Sequence, residues 1–225
     1  VSDGISKKVR EQYEENPYPR WIKPAVSKVG KSIAEFCDTT ELQLYSENIK
    51  DTTAPKILIA GCGTGQHSIE TDPDFSGCQV TAVDLSLASI AYAKRKTAET
   101  KLTNLEYMQA DILNLVNLKK EFDIIESLGV LHHMSQQMAG WSVLTKILKP
   151  GGLMCIGLYS ELARKHITEI RKEIKSLKVS TSDADMRQFR RSIITSENKS
   201  HKKLSTINDF FSLSMLRDLL FHEQE

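Results

Sequence analysis

The stretch Ile57-Leu58-Ile59-Ala60-Gly61-Cys62-Gly63-Thr64-Gly65 decides the fold. Four apolar residues without alternation describe a strand buried on both faces, as in a parallel sheet. The strand runs straight into a G-x-G-x-G turn. Glycine has no Cβ, so the backbone can turn sharply and approach a ligand closely. Taken alone, such a triplet also describes a tight strand–helix turn that holds nothing.

Working outward, four more strand-like runs follow: Val80–Val83, Leu105–Met108, Phe122–Ser127 and Leu153–Leu158. Helical stretches separate them. One covers Ser86–Thr100, with Ser86 placed to cap its start, and another covers Gln136–Leu148, closed by Lys149-Pro150-Gly151-Gly152. Strands alternating with helices predict an α/β fold, a Rossmann-like parallel sheet flanked by helices. Residues 1–55 read as a helical cover, with helices over Ile5–Tyr13 and Val26–Cys37, a Pro-rich break at Asn16–Trp21 and a loop over Ser46–Pro55. Residues 56–160 form the sheet domain. Residues 161–225 read as a helical insertion or extension with helices at Glu161–Lys178, Ser182–Ile194 and Leu213–Phe221; Ser182 and Asp185 resemble a capping box.

Composition narrows the function class. The chain has 225 residues, 30 Lys+Arg against 29 Asp+Glu, and four cysteines. The near-zero net charge argues against a dedicated nucleic-acid-binding protein. No pair of cysteines forms C-x-x-C, so neither a disulfide framework nor a zinc site is expected, and a cytoplasmic location is the default. The apolar runs are too short to span a bilayer. The basic stretch Arg187, Arg190, Arg191, Lys199, Lys202, Lys203 faces only Glu197. It reads as a solvated helical face with a mobile connection around Ser196–Ser200 rather than an RNA site, because few aromatic residues are interleaved for stacking.

Three strand ends carry ligand-type residues. Asp84 follows Gly65 by 19 residues. A carboxylate there can accept both hydroxyls of a ribose, as in dinucleotide folds. Ser86 is the better helix cap, which would leave Asp84 free. Asp111, in Gln109-Ala110-Asp111-Ile112, could accept an adenine amino group while Ile112 packs on the ring, although a turn aspartate reads almost as well. These positions converge at the carboxyl edge of one sheet, where open α/β sheets bind ligands. Dinucleotide enzymes prefer G-x-G-x-x-G. Here the third glycine comes one residue early, at Gly65, and the slot holds Gln66.

On these residues the chain resembles the class I methyltransferases that use S-adenosylmethionine. Ala60–Gly65 is similar to the family's first motif, Val83-Asp84-Leu85-Ser86 to its acidic second motif, and Ala110-Asp111-Ile112 to its adenine position. Phe122–Ile125 with Gly129–Met134 resembles the fourth, and Leu148–Gly152 the turn into the fifth strand. The resemblance implies a cofactor site built from Gly61, Cys62, Gly63, Gly65, Asp84, Leu85, Asp111, Ile112, Ser127 and Leu128. It implies methyl transfer by direct displacement to a small-molecule or protein acceptor. A base is needed only if the acceptor must lose a proton; His132 and His133 are the candidates. A metal at this pair is not expected, because adjacent histidines diverge and no third ligand has a matching spacing. Gln12–Trp21 also resembles a leader of methyltransferase domains attached to tetratricopeptide-repeat proteins, which implies fusion to further domains. The resemblance further implies two final antiparallel strands, which are missing here and are expected beyond Glu225. An NAD(P)-dependent oxidoreductase is the alternative enzyme. A domain that binds the cofactor or a partner without turnover is the alternative outside enzymes.

Overall fold

The computed structural model describes residues 3–23, 30–71, 75–100 and 102–222. Among them five strands form one parallel sheet. In chain order these are β1 (Lys56–Ala60), β2 (Gln79–Asp84), β3 (Leu105–Gln109), β4 (Phe122–Leu128) and β5 (Leu148–Gly157). Their spatial order is β3-β2-β1-β4-β5. The chain winds outward from β1 to β3, then returns to place β4 on the other side of β1. That reversal makes the β1/β4 junction the switch point where such sheets open a crevice.

The helices of this unit are α1 (Gly4–Glu15), α2 (Ile33–Thr39), α3 (Gln66–Thr71), α4 (Leu87–Thr100) and α5 (Gln137–Ile147). The helix expected over Val26–Cys37 is observed only from Ile33, and Val26–Val29 lie outside the described residues. Ser46–Pro55 is not a plain loop: Ser46 caps a 3-10 turn over Glu47–Asp51. Successive strand residues face opposite sides, so the apolar runs fill two cores. Ile57, Ile59, Val80, Ala82 and Ile124 pack with Ile33 and Cys37 on one face. Leu58, Ala60, Val83 and Ile125 pack with Ile112, Leu131, Leu144 and Ile147 on the other. Each fully buried aliphatic side chain contributes about 1.5–3 kcal/mol relative to exposure, so these faces dominate the unit's stability.

β5 begins five residues before the expected Leu153. Phe122 pairs with Leu148 and Ile124 with Leu153, so Lys149-Pro150-Gly151-Gly152 bulges opposite Asp123. The bulge is held by Lys149, whose Nζ lies 2.7 Å from Asp123 Oδ1.

A second compact unit starts at Tyr159. It contains α6 (Lys165–Leu177), α7 (Asp183–Ile194), α8 (Lys199–Leu204) and α9 (Leu213–Phe221). Ile167, Ile170 and Ile174 of α6 recur at helical spacing and meet Phe189, Ile193, Leu204, Phe210, Leu216 and Leu220 in a separate core. The Ser182–Asp185 box is only half formed. Ser182 Oγ accepts from the Asp185 amide, but the Asp185 carboxylate takes the Ser180 hydroxyl instead. The basic stretch also differs from expectation. Asn198 caps α8 where a connection was expected, and the cations are partly engaged: Arg187 with Asp183, Arg190 with the Phe211 carbonyl, and Lys202 with Glu197.

Candidate functional site

The turn after β1 is fastened by its own backbone. The Gly61 and Cys62 amides both donate to the Val83 carbonyl, at 2.8 and 2.9 Å, which ties the turn to the end of β2. Gly61, Gly63 and Gly65 all have positive φ, at 85°, 52° and 82°. Each glycine also admits a different neighbour. A Cβ on Gly61 would fall 2.3 Å from a Val130 methyl, one on Gly63 2.5 Å from the Tyr18 carbonyl, and one on Gly65 2.5 Å from the Ala93 Cβ. Gly65 therefore serves close packing of α4 against the turn. Its early position does not remove the packing role that the third glycine of a dinucleotide fingerprint fills.

Asp84 is not free, contrary to expectation. Its Oδ2 accepts the Gly63 amide at 2.8 Å and its Oδ1 the Ser86 amide at 2.9 Å. Ser86 does cap α4, accepting the Ser89 amide at 3.0 Å. The two carboxylate oxygens offer about four lone-pair sites, so the bonds to the amides orient the group without exhausting it. Burial raises the Asp84 pKa above its ordinary value; the Ser86, Gly63 and Leu85 amides oppose this, and the Glu14 carboxylate adds to it.

The other expected residues sort by what they touch. Cys62 is buried in the core, which pushes its thiol well up, so only its backbone belongs to the turn. The Leu85 carbonyl accepts from Gln109. Asp111 is buried rather than at a surface turn, and its Oδ1 caps a 3-10 turn over Ile112–Leu118 by accepting the Leu113 amide at 3.1 Å. Ile112 is buried in the core below it. Ser127 is fully buried and donates to the Ala60 carbonyl at 3.0 Å, while Leu128, next to it, is 43% exposed.

His132 and His133 follow β4 in a short 3-10 turn, Leu131–His133. Neither faces solvent, and they do not diverge: the two Nε2 atoms are 3.1 Å apart, with both residues buried. One Nε2 donates to the other. Neither caps α5, whose N-cap position, Gln136, makes no side-chain capping bond. Among the described residues no group of three or more His, Cys, Asp or Glu side chains is placed to hold a metal ion.

Sequence reasoning missed several contacts. Glu14 accepts the Leu87 and Ala88 amides at 2.7 and 3.0 Å, so α1 caps the start of α4. At the other end of α1, Asp3 accepts the Ser135 hydroxyl at 2.8 Å, beside the histidine turn. A 12-residue helix measures roughly 18 Å, and α1 uses that length to bridge the β2 side and the β4 side of the carboxyl edge. Thr64 fastens the following segment: its amide donates to the Tyr18 carbonyl, its hydroxyl to Pro19, and it accepts from Trp21 Nε1 at 3.0 Å. Tyr92 of α4 donates to the Trp21 carbonyl. Glu126 of β4 meets His67 Nε2 at 2.7 Å and the Thr71 hydroxyl at 3.0 Å, which pins α3 to the sheet. One signal was available for this contact: a carboxylate inside an apolar strand needs a partner.

Residues 57–152 match the family described as a methyltransferase domain. The match begins in β1, contains the glycine turn, Asp84, Asp111 and the histidine pair, and ends in the β5 bulge. An uncharacterized protein from Synechococcus sp. is 27% identical over 192 residues, covering 79% of this chain and 42% of that protein. The malonyl-[acyl-carrier protein] O-methyltransferase of Enterobacter lignolyticus is 28% identical, covering 66% of this chain and 57% of that one. The structure of PKMT2 from Rickettsia typhi in complex with AdoHcy superposes with a TM-score of 0.61 at 25% identity, over 74% of this chain and 35% of that one. The chain thus spans about a third to three fifths of the length of these proteins. The likenesses support a methyltransferase domain of the class I fold, and none of them supports the oxidoreductase alternative. No helix among the described residues is long and apolar enough to cross a membrane.

Proposed function

We propose that the sheet unit transfers a methyl group from S-adenosylmethionine to an acceptor by direct displacement. The cofactor is S-adenosylmethionine, as the family and the AdoHcy-bound neighbour indicate. It supplies a methyl group already activated on a sulfonium. The observation that carries the proposal is Asp84. Its carboxylate stands at the end of β2, is oriented by the Gly63 and Ser86 amides, and keeps acceptor capacity for a ribose diol.

The chain's own task is to hold donor and acceptor in line. Orientation of that kind is worth ~7–11 kcal/mol of barrier. The backbone of Gly61, Cys62, Gly63 and Gly65 lines the methionine side, and Asp84 with Leu85 the ribose. Asp111 and Ile112 stand on the adenine side, with Ser127 and Leu128 beside the reacting centre. α1 and the Tyr18–Trp21 segment act as the cover that excludes water. Two anchored ends, at Ser135 and at the start of α4, support this role for α1. His132 and His133 serve as the base for an acceptor that must lose a proton. Each imidazole then exchanges its partner's Nε2 for the acceptor.

Calorimetry with S-adenosylhomocysteine tests the proposal. Micromolar binding that is lost in Asp84→Ala is expected. No binding of S-adenosylhomocysteine alongside clear binding of NADH would sink it.

A further inference from the structure

The amino-terminal edge of the sheet, opposite the glycine turn, carries a groove that the methyl-transfer reading does not use. The connection from β3 to β4 is a short 3-10 turn, Ile112–Leu118, rather than a full helix. Next to it opens a groove of about 950 Å³, lined by the first residues of β1 to β4 and the end of α5. Parallel sheets are ordinarily covered by apolar helices on both faces. Here the side chains presented to the groove from β2 and β3 include Thr81 and Glu106, which are hydrogen-bonded to each other at 2.7 Å.

Five lysines ring the groove: Lys56, Lys119, Lys120, Lys146 and Lys149. Two are neutralised in place, Lys120 by Glu106 at 2.8 Å and Lys149 by Asp123 at 2.7 Å. Lys56, Lys119 and Lys146 form no ion pair among the described residues, and all three are exposed. They come from three different elements: the start of β1, the left-handed residue after the 3-10 turn, and the last turn of α5. Three unpaired cations against one unpaired carboxylate, Glu121, leave a net positive field at its mouth. The surrounding unit is slightly acidic, so this patch stands out against its own domain.

We propose that this groove docks an extended, Asp- or Glu-rich segment of a protein partner. The lining selects that chemistry over nucleic acid. Glu121, which forms no ion pair among the described residues, stands in the same wall and would repel a continuous phosphate backbone, and among the described residues the lining holds no base-stacking platform beyond Phe122, which is buried. A peptide alternates carboxylates with neutral residues, so its anions can reach the free lysines while bypassing Glu121. Its backbone amides and carbonyls can meet the side chains of Gln79 and Thr103, which also line the groove. The surface lies wholly in the sheet unit and is independent of the cofactor edge.

The test uses a fluorescein-labelled peptide of about ten residues alternating Glu with Gly, titrated with the full chain and read by anisotropy. Saturable binding is expected, weakening as salt shortens the screening length. The triple variant Lys56→Gln, Lys119→Gln, Lys146→Gln is expected to weaken it roughly tenfold, the sum of three exposed pairs. The control variant Lys172→Gln with Lys175→Gln, on α6, should leave it unchanged. Melting temperature and S-adenosylhomocysteine affinity show that both variants are folded. Three results would overturn the proposal: no saturable binding, equal loss in the control variant, or a single-stranded oligonucleotide of similar length binding as tightly as the peptide.

Discussion

At the scale of single residues, the glycine turn shows what each missing side chain is for. Gly65 and Gly129 both sit at positive φ, 82° and 73°. Only Gly65 is crowded: a Cβ there meets Ala93 at 2.5 Å and the Tyr107 hydroxyl at 2.7 Å, whereas one on Gly129 meets nothing within 4 Å. Gly129→Ala should cost only the left-handed backbone penalty, about 1–2 kcal/mol. Gly65→Ala adds an overpacking cost and should lose about 2–5 kcal/mol, read from denaturant midpoints of the two variants. Asp84 makes a prediction in pH. Its pKa is raised, first by burial and further by the Glu14 carboxylate. The folded state therefore holds the proton more tightly than the unfolded chain. This group's contribution to stability is full below the ordinary value of 3.8 and is lost as pH rises through the raised value. Binding runs the other way, because the ionised carboxylate is the acceptor. S-adenosylhomocysteine affinity should fall with acidification from a higher pH than an ordinary aspartate would give. Calorimetry across that range, with Asp84→Asn lacking the inflection, checks the sign.

At the scale of elements, β1, β2 and the first half of β4 were readable because they are buried on both faces and so appear as largely apolar runs, whereas β3 has no fully buried residue. The helices between them carried their own punctuation, and Ser86 caps α4 as its position implied. Two elements were not readable. The Lys149–Gly152 segment looks like a turn, and only its pairing opposite β4 makes it the bulged start of β5. α8 is six residues with just Leu204 and His201 buried, too short and polar for a periodic signal. In the site, Asp84 was legible because local spacing places it. Its occupancy was not, because the Gly63 amide reaches it across 21 residues. Glu14 was invisible for the same reason, capping α4 from 73 residues away. That contact makes α1 the element whose role is most testable. Glu14→Ala leaves two first-turn amides without their acceptor, which should cost about 0.5–2 kcal/mol. If α1 covers the bound cofactor, S-adenosylhomocysteine should also leave several-fold faster, measured by surface plasmon resonance. An unchanged dissociation rate in a variant of lower stability would remove α1 from the cover and leave it a structural brace.

At the scale of the whole molecule, the chain divides into two units with separate apolar cores, one ending at Leu158 and the other starting at Tyr159. The charge divides as well: residues 161–225 carry 13 basic against 10 acidic side chains, while residues 1–160 carry 17 against 19. Every residue assigned to the cofactor, both histidines and every lysine of the proposed docking groove precede Leu158. Within the helical unit, Glu173 meets His201 Nε2 at 2.7 Å and Arg171 donates to the His222 carbonyl at 2.6 Å. A chain ending at Leu158 should therefore fold and bind S-adenosylhomocysteine with a dissociation constant within about threefold of the full chain, a difference below roughly 0.7 kcal/mol. Its affinity for the Glu–Gly peptide should be equally preserved, since the groove lies at the amino-terminal edge of the same sheet. Calorimetry and anisotropy on the shortened chain read the two sites separately. Loss of cofactor binding in a shortened chain whose circular dichroism and cooperative melting persist would assign part of the cofactor site to the helical unit. Retention would leave that unit with a role other than holding the methyl donor.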